Sequence, residues 1–385
     1  SAHVLPPFET ELAHLITEEL TGLGITVHDG IGAASVESGA DHDTVILTDG
    51  TRIEADLIVL SVGVRPDTAV FGEAGIELER GAIVVDEHGR TSAPQVWAVG
   101  DAVISTDAVS GIRRPFALAG PANRAGRLVA DDIFKPALAR PIPNPLGTGI
   151  VRVGELTAAM TGANKTTLVT QGIAHHTMHL HPNQHAGYFP GAAQMHLIVH
   201  FREGDGMLLG AQAVGPDGVD KRIDVLATAI RAGMSVDELI DLDLAYSPPY
   251  GMAKDPANLV GMEGENVLNG TIKLWYADDV DAVLESALVL DTRSRAEFAT
   301  GHLPGALNIP HTELRERLDE VRDAAAGRPT KIMCASGMRS YIAYRVLAQN
   351  DFDASTLSGG ILTLRAALGS RAQTLLTTEH ALQSA

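Results

Sequence analysis

Cys334 is the only cysteine in 385 residues, and its neighbours make it a candidate nucleophile. It stands in Lys331-Ile-Met-Cys334-Ala-Ser-Gly-Met-Arg339-Ser340, where a short apolar run breaks into a small loop with one glycine and one cation. Ile332 and Met333 read as the end of a buried strand, and Tyr341 to Ala348 as an amphipathic helix. The pattern predicts a thiol that is presented rather than packed, with the backbone N–H groups of Ala335, Ser336, Gly337, Met338, Arg339 and Ser340 turned inward around the sulfur. Amides gathered at a helix N-terminus hold anions. A thiolate or persulfide needs such a cradle, because aligned dipoles must meet its charge. A buried structural cysteine is the other reading of an isolated thiol.

The elements that must position such groups are legible along the chain. Phe8, Leu12, Leu15, Ile16 and Leu20 make a helical stripe over Phe8 to Thr21, which Gly22 and Gly24 end. Strands are expected at Ile25 to His28, Thr44 to Thr48 and Arg52 to Val62, with Asp49-Gly50 as a hairpin turn between the last two. Asp56 to Val62 reads as a buried strand ending in the turn Gly63-Val-Arg65-Pro66, and Thr91 to Val99 as another ending in Gly100-Asp101-Ala102. Ala117-Leu118-Ala119-Gly-Pro121 reads as a loop entering a helix at the proline. No G-x-G-x-x-G is present. Gly22-Leu-Gly24 has Val27 where a third glycine would stand, and it follows a helix instead of opening one.

Composition excludes several classes. Lys and Arg total 29 against 48 Asp and Glu, and a net charge of −19 without a basic tract argues against nucleic acid or an anionic membrane as partner. No apolar run reaches the roughly 18 residues of a membrane span, and no signal peptide is visible. One cysteine permits no intrachain disulfide, so a reducing, cytoplasmic setting is expected. The cluster His175, His176, His179, His181 and His185 suggests a metal, but no cysteine and few carboxylates accompany it and Pro182 interrupts it. Polar residues at an interface or a sheet edge are the preferred reading, and no metal is assigned.

Two resemblances extend this reading. From about residue 280 to 370, Asp291-Thr-Arg293, Glu297-Phe298, Gly301-His302-Leu-Pro304-Gly305-Ala306, Asn308-Ile309-Pro310, the six-residue loop and Leu357-Ser358-Gly359-Gly360 occur in order. This stretch resembles a rhodanese (sulfurtransferase) domain. The resemblance implies that Cys334 carries sulfane sulfur as a persulfide, that residues 335 to 340 cradle it, that Arg339 closes the loop, and that Asp291 and Arg293 are scaffold.

Upstream, Gly63-Val-Arg65-Pro66 and Gly100-Asp101-Ala102 resemble the FAD-dependent pyridine nucleotide-disulfide oxidoreductases. That likeness implies a flavin site in which Gly100 allows close backbone approach, Asp101 accepts ribityl hydroxyls, and Ala117, Leu118 and Ala119 lead a helix N-terminus toward the flavin. Gly63 and Arg65 would face the nicotinamide side, although a surface arginine is an alternative. Tyr188-Phe-Pro190, Leu208 to Gly215 and Tyr246-Ser-Pro248-Pro249 with Lys254-Asp255-Pro256 look like the dimerisation domain of that superfamily. With a rhodanese domain behind it, the match narrows to the coenzyme A-disulfide reductase group. Tyr246 then takes the position of a tyrosine that crosses to the partner subunit, with a cap on a Pro-Pro turn as its structural alternative.

The expected architecture is α/β. It comprises the remainder of an NAD(P)-binding domain over residues 1–93, the C-terminal part of an FAD-binding domain over 94–144, an α+β dimerisation domain over 145–272 and a rhodanese domain over 273–385. The family's N-terminal half, with its Gly-rich loop and redox cysteine, is expected to be missing. The implied activity is NAD(P)H- and FAD-dependent reduction of coenzyme A disulfide, a persulfide or another small sulfur compound by a homodimer. This chain would then hold little or no FAD, and a separate flavin-binding polypeptide could complete it. The alternatives are a sulfurtransferase or dimerisation module without flavin activity, and an NADH oxidase-like flavoprotein with a regulatory rhodanese domain.

Overall fold

A computed structural model describes residues 2–377. They form two compact bodies: one of His28–Gly149 with Thr161–Ala163, and one of His3–Val27, Ile150–Met160 and Asn164 onward.

In the first body, Ala33–Glu37, Asp43–Leu47 and Arg52–Ala55 make an antiparallel sheet in chain order. The expected turn is present: Gly50 has φ +88°, and Thr51 N–H donates to Asp49 Oδ1 at 2.9 Å. A positive φ at that corner favours glycine. The helix Ala119–Phe134 buries Ala125, Leu128, Val129 and Asp132. Its Asp132 carboxylate accepts Arg90 at 2.6 and 2.8 Å and Trp97 Nε1 at 2.8 Å, tying the helix to the segment before Gly100. Arg90, then Trp97, hold that carboxyl below its ordinary range.

Three strand expectations fail here. Ile25 to His28 is irregular, and the strand from Arg52 ends at Ala55. Leu57, Val59, Leu60, Val62 and Val64 are 77–90% exposed instead of buried. Before Gly100 there is only the bridge between Arg90 and Trp97, followed by a 3-10 turn over Gly100–Ala102. For residues 57–64 the reason lies in their surroundings. A doubly covered strand is held by parallel neighbours and by helices on both faces, and the described residues of this body place no strand beside 57–64.

The second body is built on two sheets. One has the order His175–Leu180, His196–Arg202, Leu208–Gly215, Leu156–Gly162, Gly149–Val153. Its central strand Leu208–Gly215 is buried throughout. The helix Val219–Ala232 covers it with Ile223 and Leu226, joined by Val260 of the helix Pro256–Leu268. The two helices are pinned by a buried ion pair, Arg222 to Asp255 at 2.8 Å, and Asp255 caps the second helix through Ala257 N–H. The expected N-terminal helix forms over Thr10–Gly22 and packs Leu12, Ala13 and Ile16 against Ala158, Ile198 and Val214.

The second sheet is parallel, ordered Leu274–Trp275, Ala354–Leu357, Thr330–Met333, Leu288–Asp291, Leu307–Asn308. Alternate residues feed alternate faces: Leu288, Leu290 and Ile332 join one apolar cluster, Val289, Met333 and Leu357 the other. This is the α/β layering expected of the C-terminal region. It delivers Cys334 to the carboxyl end of a central strand, where open parallel sheets place their sites.

Candidate functional site

The loop after Met333 is fixed from three sides. Thr292 donates to the Met333 carbonyl through N–H at 2.9 Å and through Oγ1 at 3.0 Å. The first amides of the helix Gly360–Leu368 hold the loop's carbonyls, Ile361 N–H to Cys334 O at 2.9 Å and Leu362 N–H to Ala335 O at 3.1 Å. A Cβ on Gly360 would lie 2.7 Å from Cys334 O and from Ala335 O, at a φ of +63°, so only glycine lets the helix approach this closely. Gly337, at φ +107°, turns the chain into the helix Met338–Ala348 and donates its N–H to Cys334 Sγ at 3.2 Å. Ser340 Oγ closes the turn on Gly337 O at 2.9 Å.

Two expectations need correction. The helix begins at Met338, not Tyr341, because Met338, Arg339 and Ser340 already follow the helical path. The thiol is packed rather than presented: Cys334 is 1% exposed, while Met338 on the loop is 60% exposed. The helix N-terminus at Gly360 and the strand end at Thr292 hold the carbonyls of the segment that carries the sulfur, and neither is adjacent to Cys334 in sequence.

Arg339 forms a bidentate pair with Glu297 at 2.6 and 2.7 Å. Glu297 also completes a capping box with Ser294 at the start of the helix Arg295–Ala299. Arg339, then Ser294, hold the Glu297 carboxyl down to about 2. Behind it, Asp291 and Arg293 make a buried pair at 2.6 Å. Arg293 also donates to the carbonyls of Glu297 at 3.1 Å and Gly301 at 2.8 Å. The brace therefore runs from the strand end through Arg293 to the segment that carries Glu297, and from Glu297 to Arg339. The capping pattern Ser294-x-x-Glu297 is visible in the sequence; its capture of Arg339 is not.

A depressed carboxylate stabilises the fold above its ordinary value, and that contribution fades as pH falls toward the folded-state value. Glu297→Gln should thus lower the urea midpoint most near neutral pH, with the gap to wild type closing between pH 4.5 and about 2. A gap of constant size across that interval would show that the Glu297 charge contributes nothing.

In the first body, Arg65, Asp101 and Ala117 line one open cavity of about 1010 Å³. Gly100, with φ +79°, lines a second of about 180 Å³ together with Pro121 and Arg124. Ala102 ends the 3-10 turn, Leu118 caps the helix that Ala119 begins, and Gly63 (φ +86°) has open space where a Cβ would stand. Of the residues expected to face the cofactors, the tertiary structure thus gathers Arg65, from the nicotinamide side, with Asp101 and Ala117, from the flavin side, at one opening.

In the second body, Tyr246 is half exposed, with its hydroxyl 3.4 Å from that of Tyr188. Tyr188 pushes Tyr246 above its ordinary value. Tyr250 N–H closes the Pro-Pro turn on Ser247 O at 2.9 Å. His179 engages Ser358 Oγ at 2.9 Å and Glu11 at 2.7 Å, and His181 engages Thr363 Oγ1 at 2.8 Å. His179 lies on the edge strand and His181 one residue past its end, and Ser358 and Thr363 both follow the strand Ala354–Leu357 of the parallel sheet. Among the described residues, no three His, Cys, Asp or Glu are placed to hold a metal. None of the described helices is long and apolar enough to cross a membrane.

Comparison with known proteins agrees with these three regions. Residues 1–126 match the pyridine nucleotide-disulphide oxidoreductase model, 150–256 the dimerisation domain of the same family, and 276–367 the rhodanese-like domain. A coenzyme A disulfide reductase of Staphylococcus haemolyticus is 32% identical over 240 residues, 60% of this chain and 52% of the relative. The chain thus spans about half the length of the curated relatives it matches. Reduced CoADR-RHD of Bacillus anthracis superposes with a TM-score of 0.92 at 35% identity, over 96% of this chain and 66% of that one. A NAD-dependent persulfide reductase from A. fulgidus gives 0.85 at 33%, over 94% and 66%. The two models of one family together match more than half of the sequence, and the third adds a sulfur-handling fold behind them. The chain belongs to the pyridine nucleotide-disulphide oxidoreductases, a family whose members use FAD and NAD(P)H, and it carries a C-terminal rhodanese-like domain.

Proposed function

We propose that this chain serves a coenzyme A disulfide or persulfide reductase in which Cys334 carries sulfane sulfur. The observation that carries the reading is the Gly337 N–H held 3.2 Å from Cys334 Sγ, at the carboxyl end of a strand and the start of the helix Met338–Ala348. One amide and a helix N-terminus stabilise negative charge as it develops on that sulfur when it attacks and when it leaves. Arg339, drawn to Glu297, keeps a cation at the start of the helix that follows the loop.

The flavin side is supported by Gly100 with its positive φ, by Asp101 and Ala117 on a shared cavity, and by the N-terminus of the helix Ala119–Phe134. These groups fit a flavin: Asp101 would accept ribityl hydroxyls, and the helix start would face the electron-rich edge of the ring. Bound flavin supplies hydride acceptance from NAD(P)H and electron delivery to sulfur. We assign Tyr246 and its neighbours Tyr188 and Tyr250, all exposed aromatics, to a homodimer interface. The setting is a reducing, cytoplasmic one.

Two measurements test the reading. After exposure to thiosulfate, the peptide containing Cys334 should gain the mass of one sulfur atom and lose it on adding cyanide. No such gain would remove Cys334 as the carrier. Light scattering should return twice the chain mass of 40.5 kDa; a monodisperse monomer would remove the dimer.

A further inference from the structure

A cavity of about 290 Å³ lies between the helix Pro256–Leu268 and the Cys334 loop. Its helix side carries Leu259, Met262 and Glu263, and its loop side includes Gly337, whose N–H reaches Cys334 Sγ. Thr356, from the strand Ala354–Leu357, and His181, just past the edge strand His175–Leu180, share the polar part of the wall with Lys254, Asn266, Ser336 and Tyr341, so that Lys254 and Tyr341 are the other ionisable groups around Glu263 in this lining.

Three buried side-chain polar atoms of the described residues have no hydrogen-bond partner, and two of them, Thr356 Oγ1 and His181 Nδ1, belong to residues lining this cavity. Thr356 is 2% exposed. Buried polar atoms are ordinarily paired, so each exception calls for a partner. Burial, with His196 and His179 nearby, holds His181 well below its ordinary value, so the ring is neutral. With Nε2 engaged to Thr363, a neutral imidazole keeps Nδ1 for one further hydrogen bond. An apolar wall with two such atoms is the pattern of a small-molecule site.

We propose that this cavity binds a slender thiol bearing an amide or hydroxyl on its arm, which accepts the sulfane sulfur from Cys334, with Thr356 Oγ1 and His181 Nδ1 bonding the arm and Glu263 taking the thiol proton. The inference rests on the assignment of Cys334 as sulfur carrier. Burial pushes Glu263 up to about 7, so its carboxylate can accept a proton near neutrality and return it.

The step balances without an outside oxidant. The acceptor thiol gives its proton to Glu263. Its sulfur attacks the outer sulfur of the Cys334 persulfide, a new S–S bond forms, and the bond to Cys334 breaks. Cys334 leaves as a thiolate facing Gly337 N–H, then takes the proton back through solvent. Thiol and persulfide have exchanged one neutral sulfur atom.

The test compares two acceptors, with thiosulfate as the sulfur donor. Cyanide is small and needs no arm contacts; N-acetylcysteamine carries a thiol and an amide. Thr356→Val, which keeps the shape and removes the hydroxyl, should raise KM for N-acetylcysteamine about tenfold, the equivalent of one hydrogen bond. Glu263→Gln should lower kcat with the thiol and flatten its pH profile near 7. Both variants should retain wild-type cyanide turnover and wild-type circular dichroism. Unchanged thiol kinetics in both variants, with cyanide turnover intact, would overturn the acceptor site and leave Cys334 as carrier. Equal losses with both acceptors would also overturn the site, since the substitutions would then act through the fold. Failure of wild type to turn over either acceptor would overturn the carrier assignment along with it.

Discussion

Cys334→Ser should reduce sulfur transfer from thiosulfate to cyanide by at least about a thousandfold, the range expected when a covalent nucleophile is deleted. The hydroxyl occupies nearly the same volume and can accept the same Gly337 N–H that reaches Sγ at 3.2 Å. Because the side chain is 1% exposed, a hydroxyl at this site must be hydrogen-bonded, and that partner is already in place. The fold should therefore lose no more than about 1–2 kcal/mol. Arg339→Ala leaves the thiol and Gly337 intact and removes only the pair with Glu297, so its rate loss should be smaller, about ten- to a hundredfold. Steady-state assays of both variants, with urea unfolding alongside, separate chemistry from stability. A Ser variant with a tenth or more of wild-type turnover would show that sulfur is carried elsewhere.

Arg293→Met should cost the parallel-sheet lobe about 3–5 kcal/mol, the range for removing one partner of a buried ion pair. Asp291 is fully buried and Arg293 is 3% exposed, so the remaining carboxylate would keep its charge without its counterion or would have to be protonated. The guanidinium also satisfies the carbonyls of Glu297 and Gly301, which the thioether cannot. A domain of ordinary stability has about 5–15 kcal/mol in reserve, so the variant should be marginal at physiological temperature. Asp291→Leu combined with Arg293→Met removes both charges. It should recover part of the loss and leave the cost of the two carbonyls. Denaturant melts of the two variants decide the matter. A single variant within about 1 kcal/mol of wild type would mean that water reaches the pair and that it braces nothing.

The local chemistry of this protein is set by short stretches of sequence. Cys334, Gly337, Arg339 and the apolar run before them define a strand and a turn because each preference acts within a few residues, whereas the helix start fell three residues earlier than the sequence suggested. The same holds for Asp49-Gly50, for Asp255-Pro256 opening a helix, and for Ser294 with Glu297. Single-cysteine chemistry and the net charge of −19 need no fold to be read. Contacts distant in sequence were not legible: the capture of Arg339 by Glu297, the close approach that only Gly360 permits, and the anchoring of the cysteine loop's carbonyls by Thr292 and Ile361. The apolar run Leu57 to Val64 shows the converse. Its composition suits a covered strand, yet whether it becomes one depends on neighbours that its own residues do not encode. The cavity beside the cysteine loop joins residues from four separate stretches, His181, Glu263, Gly337 and Thr356. A sequence specifies which groups can donate, accept or attack; only the packed structure leaves two of them buried without partners, because that depends on which distant surfaces meet.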